Sequence, residues 1–438
     1  MPPLPSDTMP NAFRPGADLP EAEAQLIARR ERLLGPAYRL FYERPLHLVR
    51  GEGVWLYDAR GEAYLDAYNN VASVGHAHPR VAEAVARQAA TLATHTRYLH
   101  EGVLDLAERL LATLPPEIGH AMFTCTGSEA NDLALRLAFA ATGGTGVIVT
   151  GNAYHGVTLA VAQVSPSLGA GVPLGPHVRT IAAPDPATGD DRRFGAAVDA
   201  ACADLLRHGI RPAALIVDTI FSSDGVLAEP KGVLEPAARA IRAAGGLFIA
   251  DEVQPGFGRT GESFWGFQRH GVVPDMVSMG KPMGNGYPVA ALALRPGLVA
   301  DFGARARYFN TFGGNAVAAA AAGAVLDVIA EEALQENARA VGDRFLAGLR
   351  DLASRHPRLG EVRGAGLFLG LDVIDPESGA PDAAQAACIV NALREARVLI
   401  SATGPRGHVL KIRPPLVFSD AHAALFLDRL DGVMGRIG

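Results

Sequence analysis

Through the middle of the 438-residue chain, short apolar runs alternate with longer segments whose apolar residues recur every three or four positions. The runs are AMFTCT at 121–126, GVIVT at 146–150, AALIVD at 213–218, GLFIAD at 246–251 and DMVSM at 275–279. Each has the length and the bulky or β-branched content of a strand buried on both faces. Strands and helices in alternation predict a mostly parallel sheet wrapped by helices. Upstream, Glu21 to Leu34 has helical spacing, and VWLYDARGEAYLDAY at 54–68 predicts a hairpin turning at Ala59-Arg60-Gly61. From about Glu331 the pattern changes to long amphipathic helices, with LFLGLDV at 367–373 and HVLKIRPPLVF at 408–418 as strands. The expected organisation is α/β: a flexible arm over 1–18, a segment over 19–75 that contributes to the small domain, a large domain over 76–325 and a C-terminal α+β domain over 326–438.

Charge narrows the classes of partner. There are 40 Lys and Arg against 46 Asp and Glu, a net of −6 without long single-sign runs, so neither nucleic acid nor an acidic membrane is an expected partner. Cys125, Cys202 and Cys388 are odd in number and far apart, which fits neither a disulfide framework nor a metal cluster. The opening MPPLPSDTMPNAFRPGADLP is polar and proline-rich, without the basic start and apolar core of a secretory signal, and the expected location is cytoplasmic. NAVAAAAAGAVLDVIA at 315–330 is too short and alanine-rich to span a bilayer and predicts a buried helix.

The candidate chemistry sits where the apolar runs end. Asp251 closes GLFIAD and Lys281 follows DMVSM in SMGKPMGNGYP. In open α/β sheets ligands bind at the carboxyl ends of strands, so both residues are placed for chemistry. An acid there can pair with a pyridinium nitrogen, and a lysine shielded from water can form an imine with an aldehyde, which is what pyridoxal 5′-phosphate requires. The alternatives are a capping acid and a solvated surface lysine. Gln254 could hydrogen-bond the ring's phenolic oxygen. In FTCTGSEANDLALRLA at 123–138, Thr126, Gly127 and Ser128 fall at a helix start whose free amides can cradle a phosphate. The competing reading is an ordinary capped helix with Ser128 as cap. Tyr154 in AYHG can cover a planar ring, or belong to a structural Tyr-His pair.

In this order the motifs are specific as a set, and the chain resembles the class III aminotransferases of the pyridoxal-phosphate fold type I superfamily from about Tyr42 to Val433. The resemblance implies Lys281 as the Schiff-base lysine, Asp251 as the pyridinium partner and Gln254 on the phenolic oxygen. It also implies Gly127 and Ser128 around the phosphate, Tyr154 stacked on the ring, and Thr311 of NTFGGN reaching the phosphate from a neighbouring subunit. A homodimer with shared active sites, or a pair of such dimers, follows from it.

Two family positions are altered together. Where most members carry a carboxylate-binding arginine, KIRPPL has Lys411, with Arg413 two residues on and on the same side of a strand. The partner glutamate falls at Ser223 of FSSDG. An ammonium is a point charge suited to phosphate as well as carboxylate, whereas a guanidinium forks onto carboxylate. NNVASVGHAHP, HTRYLHEG and SATGPRGHVLKIRPPL are similar to the subgroup containing phospho-lyases of phosphorylated amino alcohols such as ethanolamine phosphate. The leading expectation is a transaminase that moves an amino group from an amine or ω-amino acid to pyruvate or another oxo-acid, with the phospho-lyase as alternative. Tyr42, Ser223, Lys411 and Arg413 are the candidate substrate-binding residues. His76, His78 and His100 could touch a substrate phosphate or be turn and packing histidines.

Overall fold

The structure is a computed structural model and describes residues 9, 11–16, 19–185 and 191–437. Its centre is a seven-stranded sheet. In spatial order the strands are His120–Thr124, Ala290–Leu294, Met276–Met279, Leu247–Asp251, Pro212–Asp218, Gly146–Thr150 and Val178–Ile181. Only Ala290–Leu294 runs against its neighbours; the other pairings are parallel. All five expected runs are strands here, and together with the flanking helices they make the α/β fold that the alternation predicted.

Both faces of the sheet are covered, which is why its strands read as continuous apolar runs. Ala214, Ile216 and Ile249 pack into one core with the helix Gly127–Thr142. Leu215, Val217, Phe248 and Ala250 point the other way, into a core with the helices Asp191–Arg207 and Leu234–Ala243. The alternation is the two-residue period of the pleat. The alanine-rich segment is the helix Ala316–Glu331, buried along most of its length and capped by Asn315, whose side chain accepts from Val317 N and Ala318 N.

Two four-stranded sheets flank this centre. The expected hairpin is Trp55–Asp58 with Ala63–Asp66, joined by Leu48–Glu52 and, from far along the chain, by Val398–Leu399. Leu359–Ala365, Phe368–Val373, Val409–Ile412 and Ser401–Thr403 form the other. Of the arm expected over 1–18, residues 1–8, 10, 17 and 18 lie outside the described residues. Asn11 is buried: its carbonyl accepts from Tyr42 N and its side-chain oxygen from Ser401 Oγ. Among the described residues no helix is long and apolar enough to cross a membrane.

Candidate active site

Adjacent strand ends supply the acids and the lysine of one cavity. Asp218 and Asp251 are the last residues of their strands, and Lys281 follows Met276–Met279 after a single glycine. These three, with Thr126, Gly127, Ser128, Tyr154 and Gln254, line a cavity of about 320 Å³. The structure thus brings together every candidate cofactor residue except Thr311, which is exposed and lies outside it.

One end of the cavity is a helix start. Thr126, not Ser128, is the N-cap of Gly127–Thr142: its hydroxyl accepts from Glu129 N, while Glu129 Oε2 accepts from Thr126 N and Cys125 N. The capping expectation was displaced by two residues because the box needs a glutamate three positions on, which Thr126 has and Ser128 lacks. Ser128 is left to accept from Val157 N at 3.1 Å. The amides of Gly127 and Ser128 belong to the first turn, have no intrahelical acceptor and point outward with the positive end of the helix dipole. Gly156 has φ +142°, and a Cβ there would lie 2.4 Å from Ser128 Oγ, so only glycine lets the two loops close round this end.

At the other end Asp251 is held from three sides. Asn131 Nδ2 donates to its Oδ2 at 2.9 Å, His155 Nδ1 lies 2.7 Å from the same oxygen, and Val253 N donates to Oδ1. His155 Nε2 is buried without a partner among the described residues. Lys281 is half-buried and has no hydrogen-bond or ion-pair partner there; its amine stands 6.0 Å from the centre of the Tyr154 ring. Burial first, then the nearby Arg413, lower the Lys281 pKa, against the opposing pull of Asp251 and Asp218. An acid fixed in place, an unpartnered amine with a lowered pKa and a cup of free amides fit a planar aldehyde cofactor that carries a phosphate.

Lys411 and Arg413 do share a side, as their spacing implied. Both are buried, both lie 5.5 Å from the centre of the Phe368 ring, and both donate to Gln254 Oε1, Lys411 at 3.2 Å. Arg413 also donates to the carbonyl of Tyr68. Neither has an ion-pair partner among the described residues. Gln254 stands between them and the cavity, with its amide nitrogen turned to Ser222 and Asp218.

The remaining candidates lie elsewhere. Tyr42 does not line the cavity: it is buried in the core, its hydroxyl donates to the carbonyl of Ile400, and burial raises its pKa. Ser223 is also outside; its carbonyl is taken by Asn152, Thr403 and Gly404. His76 is paired with Asp66 at 2.6 Å, His78 lies 3.2 Å from Glu332, and His100 precedes the helix Glu101–Leu111 without capping it. Asn131, His155, Asp218 and Ser222 are the site residues that sequence reasoning passed over. The signal for His155 was the AYHG motif itself, and for Asp218 the same strand-end position that marked Asp251.

A family model described as aminotransferase class-III matches residues 41–434. The Drosophila melanogaster alanine-glyoxylate aminotransferase 2-like protein is 40% identical over 424 residues, covering 93% of this chain and 86% of that protein. Ethanolamine-phosphate phospho-lyase homolog 1 of Caenorhabditis elegans is 36% identical, covering 94% of each. Among solved structures, a phospholyase from Arthrobacter in complex with phosphoethanolamine matches with a TM-score of 0.91 at 44% identity, covering 94% of this chain and 99% of that one.

Proposed function

The chain belongs to the class III aminotransferases, enzymes that depend on pyridoxal 5′-phosphate, and from that premise we propose that it is a phospho-lyase acting on a phosphorylated amino alcohol such as phosphoethanolamine. The observation that carries this reading is the pair Lys411 and Arg413: two buried cations beside the cavity with no carboxylate partner among the described residues. A single unpaired buried charge is costly, so two side by side mark a place made for an anion. A phosphate dianion matches two positive charges; the carboxylate of an amino acid matches one. The family's glutamate, which would neutralise such a cation, is replaced by Ser223. The 44% identity to a phospholyase that binds phosphoethanolamine supports the same reading.

When bound, the cofactor supplies an electron sink for the carbon that carries the amino group. In the proposed site Lys281 would hold it and Asp251, steadied by Asn131, His155 and Val253, would pair with its ring nitrogen, with Tyr154 against the ring. Thr126 and the amides of Gly127 and Ser128 would hold its phosphate. The Lys281 amine, whose pKa burial lowers, would take the proton from the amine-bearing carbon. The carbon–oxygen bond to the substrate phosphate then breaks, and its electron pair leaves with the phosphate that Lys411 and Arg413 hold. One water is consumed, and acetaldehyde, ammonia and phosphate are the products. We place Thr311 at the phosphate of a second copy, in a homodimer. Val157, bonded to Ser128 at this end of the site, is exposed, as is Leu159, which fits a second copy seated there; a monomer in sedimentation would contradict this.

Transamination to pyruvate or another oxo-acid is the second reading, favoured by the Drosophila relative's name. Substrate comparison separates the two. Phosphoethanolamine should be consumed without an oxo-acid, and ethanolamine, which lacks the phosphate, should not. Equal consumption of a simple amine with pyruvate would reverse the assignment.

A further inference from the structure

The turn that follows Pro212–Asp218 presents a different serine from the one the family pattern singles out. Ser223 does not line the cavity, and its carbonyl is engaged by Asn152, Thr403 and Gly404. Ser222 is fully buried; its hydroxyl donates to Asp218 Oδ2 and accepts from Gln254 Nε2. Asp218 also accepts from Ile220 N at 3.1 Å and Ser222 N at 3.2 Å, so the carboxylate is fixed by its own turn. That turn is held in a costly shape: Phe221 has φ 51° and Val226 φ 60°. A β-branched residue in the left-handed region is an outlier that persists only where its surroundings impose it, and such residues gather at functional sites.

The donors and acceptors along this line allow only one arrangement. Ser222 has a single proton and gives it to Asp218, so toward Gln254 it can only accept. Gln254 must therefore turn its amino group to Ser222 and its oxygen to Lys411 and Arg413. The reverse orientation would set the amino group against two cationic donors.

We propose that Asp218 and Ser222 are a positioning relay: they orient the Gln254 amide so that its oxygen draws Lys411 and Arg413 together and leaves both charges available to a phosphate. The assignment of that phosphate to the substrate rests on the lyase reading above; the relay itself does not.

The test titrates inorganic phosphate into the holoenzyme by calorimetry, for the natural protein, Ser222→Ala, Asp218→Asn and the double variant, with cofactor loading checked by absorbance. Each single change should weaken phosphate about tenfold, the effect of one misdirected hydrogen bond to a charged group. The double variant should be no weaker than the weaker single, because residues acting as one unit are not additive. The KM for phosphoethanolamine should rise by the same factor, with the loss in KM rather than in kcat. Unchanged phosphate affinity in both single variants, multiplied losses in the double variant, or no phosphate binding by the natural holoenzyme would each overturn the relay. Relay-dependent phosphate binding with no phosphate released from phosphoethanolamine would leave the relay standing and remove the lyase reading.

Discussion

Replacing Lys411 with methionine keeps the length of the stem against Phe368 and removes one of the two charges. Two unit charges about 4 Å apart interact by about 4 kcal/mol at an effective dielectric of roughly 20. Part of that is lost to the hydration a phosphate gives up on entering, and removing one partner of a buried charge pair costs about 2–4 kcal/mol net. With Arg413 still present, KM for phosphoethanolamine should rise roughly 30- to 1,000-fold. Burial first, and then Arg413, hold the Lys411 pKa well below its ordinary value, so this amine gives up its proton at a lower pH than a free lysine does. Anion binding favours the charged form, so binding takes up a proton and weakens as pH rises. Above about pH 7.5 the substrate phosphate is already a dianion and adds no slope of its own. Initial rates of phosphate release at pH 7.5 to 9.5 should therefore give a KM that climbs in the natural enzyme and stays flat in Lys411→Met. A KM within twofold of the natural value, or the same pH slope in both proteins, would show that Lys411 does not hold the substrate phosphate.

Lys281→Ala should abolish turnover together with the absorbance of the bound cofactor; retention of either would show that another amine carries it. Gly156→Ala pushes a Cβ to 2.4 Å from Ser128 Oγ at φ +142°, a strain of about 1–3 kcal/mol. Cofactor affinity, read by absorbance titration of the apoprotein, should fall roughly 5- to 150-fold, and an unchanged affinity would mean that Ser128 does not shape the cup. Glu252 is fully buried, accepts from Thr219, Gly266 and Phe267, and burial raises its pKa from 4.5 to about 7. A raised folded value means that the protonated form contributes stability below pH 4.5, and that this contribution is lost as pH rises through about 7. The Tm advantage of the natural protein over Glu252→Gln should accordingly shrink between pH 5 and pH 8; a constant gap would contradict it.

The sheet was legible because strands covered on both faces are written as unbroken apolar runs, and five of its seven strands announce themselves that way. Ala290–Leu294 escaped because its alternating Ala and Leu carry little β preference, and only the neighbours on either side make it a strand. Val178–Ile181 is an edge strand with Arg179 and Thr180 in its middle, so it shows no apolar run. Asp251 and Lys281 were found because a run ends beside each. Asp218 ends a run in the same way but was counted with its strand, since the cavity that joins the strand ends is a tertiary fact. The same holds for Asn131 and His155, which meet Asp251 across 120 and 96 residues. Ser223 occupied the family's position by count, yet a turn with left-handed Phe221 sends the neighbouring Ser222 inward instead. Tyr42 looked like a pocket residue and is core, because its hydroxyl finds the carbonyl of Ile400 in a segment more than 350 positions away.

Whether phosphate is eliminated or an amino group exchanged is read by counting turnovers. Holoenzyme free of oxo-acids is given an excess of phosphoethanolamine, and phosphate, acetaldehyde and ammonia are measured per active site. Equal amounts of all three are expected, rising far beyond one per site while the cofactor spectrum stays unchanged. A halt at one amino group per site, with the cofactor converted to its amine form and restored by pyruvate, would contradict elimination.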